Sequence, residues 1–464
     1  MADPVTPRAA SQPAVGSRTV TRRQVLGGIA GVAGLAAAPS LIAACSTPAA
    51  SPAASAGGAA SPSAGGSAPA SAAVTGSTTL GSNYSNTDTD TKAMQATVDA
   101  FTKKTSIAVK VNTTNHEDFQ TRISSYLQGT PDDVFTWFAG YRMRTYANQG
   151  LAGDLTELWG KIGSNFTDAF KQASTGDDNK QYFVPFYNYP WVVLYRKSVF
   201  ADKGYTVPKT WTEFKALGDK MKTDGLVPLA FADKQGWPAM GTFDILNMRL
   251  NGYKFHVDLM AGKEKWADPK IKTVFDTWKE LLPYLQTGAL ARDWQDAAQG
   301  LVAKKSGMYF LGTFAGQQAT KPEDHDDLDF FPFPTLGTQF DSELGIDAPI
   351  DGFMLTAKAK NVDQAKAFLE YLAHGEAQQI FLKLSPNGIP AGKDADTSGY
   401  SAFDKKSAEI IGASGAIAQY LDRDTKPAFA DEMIKKLQAF LTDPNQDLTK
   451  FTDAIQKFWD SLGD

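Results

Sequence analysis

From residue 78 onward, apolar positions switch repeatedly between a period of about 3.6 and a period of two. Met94, Val98 and Phe101 fall at helical spacing, and Ile107, Val109 and Val111 then alternate, which predicts a helix followed by a half-buried strand. Phe119, Ile123 and Leu127 recur every fourth residue up to the stop Gly129-Thr130-Pro131, ahead of a short apolar strand over 133–138. Thr210-Trp211-Thr212-Glu213 has the form of a capping box and opens a helix through Met221, with Trp211 packed beside it. Further strands are predicted at 192–195, 228–232, 308–311, 329–333 and 353–356, with helical runs over 269–286 and 294–304. After Val362 the chain reads as almost wholly helical, with Ala365, Phe368, Leu369 and Leu372 on one face. This α/β alternation favours mostly parallel sheets covered by helices. The stretch is too long for one such sheet, so two lobes are expected, with a ligand crevice at the carboxyl ends of the strands.

Ahead of residue 78 the pattern is different. No charged residue lies between Arg23 and Asp88, and all 52 aromatic residues fall from Tyr84 onward. Thr21-Arg22-Arg23-Gln24 precedes an uncharged run over 25–44 and then Ile42-Ala43-Ala44-Cys45. A charged start, an apolar middle and small residues before a cut describe a signal peptide. The paired arginines resemble a twin-arginine export signal, and the residues up to Cys45 resemble a bacterial lipobox, so 1–44 is expected to be a signal peptide and Cys45 a lipidation site. Residues 46–77 are dominated by Ala, Ser, Gly and Pro. A segment of this kind cannot bury enough apolar surface to offset its chain entropy, and 45–77 is expected to be a lipidated cysteine with a disordered tether. Its root-mean-square reach is roughly 30 Å.

Composition narrows the chemistry. A net charge of −5 with no basic run longer than a pair argues against a nucleic-acid partner. The single cysteine excludes an internal disulfide framework. His116, His256, His325 and His374 are dispersed without the i, i+4 spacing of a metal-binding helix, so neither a structural metal nor a cofactor is expected. Nucleotide-binding glycine motifs and a hydrolase nucleophile elbow are missing from the folded part, and no enzymatic activity is predicted.

Several ordered segments carry a resemblance: Pro131 to Trp137, Gly150 to Leu155, Val184-Pro185-Phe186, Leu194 to Phe200, Pro208 to Phe214, Gly307 to Gly312, Phe333-Pro334-Thr335, Asp351-Gly352-Phe353 and Asn361 to Ala365. Together they resemble the extracellular solute-binding proteins of carbohydrate ABC importers, the maltose-binding-protein-like family, over nearly all of 78–464. The resemblance implies a two-lobed type II periplasmic-binding-protein-like fold with about three hinge crossings, near Tyr187–Trp191, Phe331–Leu336 and Glu376–Ala391. One lobe is expected to combine 78–187 with 336–380, the other 190–330 with 391–464. It implies a monomer that is exported, held by its lipid on the outer face of the bacterial membrane, and closes around a mono- or oligosaccharide for delivery to membrane permease subunits. The alternatives are a binder of a non-sugar solute such as a polyamine, and a tethered glycoside hydrolase.

A pyranose needs flat aromatic surfaces for its C–H faces and polar groups for its hydroxyl rim. Trp137 is a candidate as the end of a predicted strand, and Trp237 as a loop residue between Gly236 and Pro238. Tyr187, Tyr189 and Trp191 surround Pro190, and Trp294 opens a helix. Phe314 stands near the family's cleft aromatic, and Asp351 with Gly352 resembles a cleft terminus. Asn83, His116 and Asp118 follow the first two strands of the N-terminal lobe.

Overall fold

The computed structural model describes residues 74–464 apart from Leu344, Asn387, Gly415 and Asp464. The expected signal peptide, Cys45 and most of the tether lie outside the described residues. Among those described, no helix is long and apolar enough to cross a membrane.

Among the described residues, twelve strands form three sheets. In chain order they are β1 (Gly76–Ser82), β2 (Ile107–Thr113), β3 (Val134–Phe138), β4 (Val184–Asn188), β5 (Trp191–Arg196), β6 (Val227–Ala230), β7 (Ser306–Gly312), β8 (Leu328–Phe331), β9 (Ile346–Asp347), β10 (Ile350–Leu355), β11 (Ile389–Pro390) and β12 (Ile417–Ala418). A six-stranded sheet has the order β11-β4-β10-β3-β1-β2, a four-stranded sheet the order β6-β7-β5-β8, and β12 pairs with β9. The chain leaves the first sheet after β4, enters the second at β5, and returns to the first at β10.

The sheets are mixed rather than mostly parallel. β1 runs parallel to β2 and β3, and β6 to β7, but β10 is antiparallel to both β3 and β4, and β5 to both β7 and β8. The physical reason is connectivity: strands that arrive from the other sheet enter from the opposite end, which local βα periodicity does not register. The first strand also begins earlier than composition implies. Gly76 and Ser77, which by composition belong with the tether, pair with Ile107 and Ala108, so backbone ladder bonds hold residues that have little to bury.

The periodic helices form where the pattern puts them. Asp88–Thr105 starts with a reciprocal capping box between Thr87 and Asp90 and buries Met94, Val98 and Phe101, the last against Phe368 at 5.0 Å between ring centres. Trp211–Thr223 has the predicted Thr210/Glu213 box, and Trp211 stacks on Phe214. Pro238–Asn251 gives no amphipathic signal because it is buried almost all round, the signature of a central helix. Asp233 caps it, accepting from the Ala239 N–H at 2.8 Å.

Candidate functional site

Between the two larger sheets lies a cavity that is partly open to solvent. Its walls come from loops at the ends of strands and helices. Tyr187 is the penultimate residue of β4, and Tyr189 and Trp191 continue across Pro190 into β5. Trp237 stands immediately before the Pro238–Asn251 helix, Trp294 is the first residue of Trp294–Val302, and Phe314 lies in the short turn after β7.

These rings form a continuous wall. Trp237 is 6.2 Å from Trp191, 6.4 Å from Trp294 and 6.1 Å from Phe314, and Trp294 meets Phe314 edge-on at 5.1 Å. Trp191 stacks on Tyr420 at 4.9 Å. The edge-on contacts among them fix the rings against one another.

The polar side is built around Arg423. Its Nη2 donates to Tyr189 Oη at 3.1 Å, Nη1 lies 3.5 Å from Asp351, and its guanidinium covers the Phe138 ring at 3.8 Å. Arg142 donates to the Asp422 carbonyl at 2.8 Å and pairs with its carboxylate at 3.4 Å, so two acids face two arginines. Burial raises the Asp351 carboxyl above the usual range, against the pull of Arg423 and His116. Burial also works against the charge on Arg423, but Asp351, Tyr189 and Asp422 outweigh it and hold the guanidinium protonated. Buried around the cavity, Trp191 Nε1, Gln317 Oε1, Tyr420 Oη and Asp422 Oδ1 have no hydrogen-bond partner. Orphaned buried donors and acceptors are costly unless a ligand or water engages them.

Of the candidates named from sequence, Tyr187, Tyr189, Trp191, Trp237, Trp294, Phe314, Asp351 and His116 line this cavity. Four do not. Trp137 points into the core, 2% exposed, against Phe119, Phe138 and Tyr146. Register explains this: Phe138 pairs with Asp351 and Trp137 with Gly352, and successive strand residues face opposite sides. Gly352 lies at a register shift where an added Cβ would sit 2.1 Å from the Val184 carbonyl oxygen, so its role is close strand approach. Asp118 is exposed in the first turn of His116–Gln128, its N–H held by the Asn115 cap. Asn83 is buried behind His116, which contacts its carbonyl at 3.3 Å.

Sequence reasoning missed Gln120, Gln317, Tyr420, Asp422 and Arg423. The last three sit where the chain reads as helical, and their partners lie far off in sequence. Tyr420 adopts φ 95°, uncommon for a bulky residue and typical of a functionally constrained backbone. The one available signal is an aromatic followed by Asp-Arg-Asp within two residues, in a stretch otherwise patterned for burial.

With this geometry in view, likeness to known proteins is informative. The family model for bacterial extracellular solute-binding proteins matches residues 85–379. The bacterial solute receptor AcbH, described as having an exclusive preference for β-D-galactopyranose, has a solved structure 45% identical to this chain. It superposes with a TM-score of 0.81 and covers 83% of this chain and 99% of its own. The diacetylchitobiose binding protein DasA of Streptomyces coelicolor is 26% identical over 64% of this chain and 68% of its own length. An ABC transporter extracellular-binding protein of Pyrococcus horikoshii is 25% identical, and the match spans 65% of that relative and 63% of this chain. A mixed α/β body of two sheets around an aromatic cavity, matched by this family over most of its length, identifies the chain as a bacterial extracellular solute-binding protein.

Proposed function

We propose that this protein is the exported receptor of a carbohydrate ABC importer and that its cavity holds a single hexopyranose, D-galactose foremost. The observation that carries the reading is the aromatic wall facing buried polar atoms without partners. Aromatic rings in the cavity wall suit the C–H faces of a sugar, and the unpaired donors and acceptors suit hydroxyls, which both donate and accept. Two acids balanced by two arginines favour a neutral ligand over a polyamine, which calls for uncompensated carboxylates. The similarity to AcbH adds the particular sugar.

Capture works by closure between the lobes, with no covalent chemistry. Trp237 Nε1 reaches Glu117 on the other side of the cavity at 3.4 Å, and Arg142 reaches Asp422. A ligand touching both sides favours the closed form by no more than its differential affinity for it. Cys45 carries the lipid, the residues between it and β1 form the tether, and the permease partner distinguishes loaded from empty receptor.

A thermal-shift panel tests the ligand class. D-galactose is expected to raise the unfolding midpoint, glucose less, and spermidine not at all, because a ligand stabilises by RT ln(1 + [L]/Kd). Stabilisation by spermidine alone, or product formation from an oligosaccharide, overturns the reading. For the anchor, Cys45→Ala is expected to release the protein from the membrane fraction, and retention there argues against lipidation at this residue.

A further inference from the structure

Beneath the cavity wall, Asp244 and His256 on the consecutive helices Pro238–Asn251 and Tyr253–Met260 converge with Asp347 of β9. One ligating atom from each lies within 4.8 Å of the others, and the three residues are 0, 1 and 1% exposed. Four of their polar atoms have no hydrogen-bond partner: Asp244 Oδ1, His256 Nε2 and both carboxylate oxygens of Asp347. The remaining Asp244 oxygen accepts from the Leu421 N–H at 2.8 Å. Arg249, whose charge Asp347 feels, spends its guanidinium on the carbonyls of Gly345 and Phe333. Asp424 adds further negative charge around both carboxylates. Buried charges are ordinarily paired or coordinate a metal, and here neither acid forms an ion pair with a lysine or arginine among the described residues and three of their four oxygens lack a donor.

We propose that Asp244, His256 and Asp347 form a divalent-cation site of the Zn2+ or Mn2+ class. One imidazole nitrogen with two carboxylates suits these ions better than Ca2+, which takes about six to eight oxygens. Bond lengths of ~2.0–2.2 Å put tetrahedral ligand atoms roughly 3.4 Å apart. His256 Nε2 and Asp244 Oδ1 are 3.9 Å apart, so side-chain adjustment closes the site without moving a helix.

The surroundings supply an outer shell. Asn247 Nδ2 lies 3.1 Å from His256 Nδ1, and Asn247 Oδ1 accepts from Asn251 at 2.8 Å. Turning both carboxamides over lets Asn247 accept from Nδ1–H, which frees Nε2 to ligate and orients the ring. Histidine spacing along the sequence predicts no metal because these ligands come from three elements separated by up to about a hundred residues. The cation has a structural task. It fastens β9 to two helices and, through the Leu421 N–H on Asp244, steadies the turn that carries Tyr420, Asp422 and Arg423 to the cavity.

The inference does not depend on which solute is bound, and its test omits sugar throughout. Purified protein is stripped with a chelator, desalted, and followed by thermal unfolding with Zn2+ or Mn2+ added, alongside elemental analysis of protein grown with both metals. Stoichiometric metal and a rise of several degrees in the midpoint on adding one of these ions are expected. Asp347→Asn and His256→Gln are expected to lose both. If either variant fails to fold, the wild-type metal content and shift decide the matter. Wild-type protein that neither retains nor responds to these ions, or variants that keep the full response, overturn the proposal.

Discussion

Trp137 and Trp237 look alike as sequence candidates and differ in what their rings touch. Trp237 is half-buried, with Trp191, Trp294 and Phe314 around it at the cavity, whereas Trp137 is enclosed by the core. Trp237→Ala is therefore expected to weaken sugar binding tenfold or more, about 1.4 kcal/mol, with little change in unfolding midpoint. Trp137→Ala is expected to cost about 3–5 kcal/mol of stability, measured by denaturant titration, with affinity nearly unchanged in the folded fraction. Affinity lost equally in both contradicts this division. Asp233 carries a different prediction. Burial pushes its carboxyl up to about 7, above the unfolded value near 3.8, so the native state holds a proton that the unfolded state has released between those values. Stability through this group is complete below about pH 4 and declines as pH rises toward 7. Asp233→Asn keeps an acceptor for Ala239 N–H and is expected to flatten that decline; an unchanged pH profile of unfolding refutes it. The aromatics beside Pro and Gly in loops were legible because such residues have no strand or helix face to occupy. Trp137 was not, because its face depends on pairing with Gly352, over two hundred residues away. Arg423 was not, because buried ion pairs leave no periodic trace.

At the scale of elements, local signals carried far and pairing did not. The capping boxes at Thr87/Asp90 and Thr210/Glu213 and the i, i+4 faces are written in neighbouring residues. The antiparallel entry of β5 and β10 is written nowhere locally, since it follows from the route of the chain between sheets. The Pro238–Asn251 helix shows why close packing matters to the site. Gly241 faces Trp191 so closely that an added Cβ would lie 2.2 Å from the indole. Gly241→Ala favours the isolated helix by about 1 kcal/mol, yet it must displace Trp191 and with it the stack on Tyr420. The expected result is a helix retained by circular dichroism, a lowered midpoint and weaker sugar binding. Unaltered affinity would show that Trp191 is not held in place by this contact.

For the whole molecule, the two sheets provide frames whose loops meet across one cavity, and the family assignment fits that arrangement. The cavity's aromatic rings, with Arg423 and its acids, give the cleft an apolar and a polar side, which is what the proposed sugar ligand calls for. Ordered motifs made the two-lobed plan legible in the sequence, while the cavity's polar half emerged only when residues 420–423 met β4 and β10 in space. If this cavity takes one hexopyranose, calorimetric titration of the purified protein with D-galactose shows it most directly. A saturable isotherm with one site per chain, lost in Trp237→Ala, is the predicted outcome. Absence of binding by D-galactose and by other hexoses, in protein shown to be folded, would contradict it.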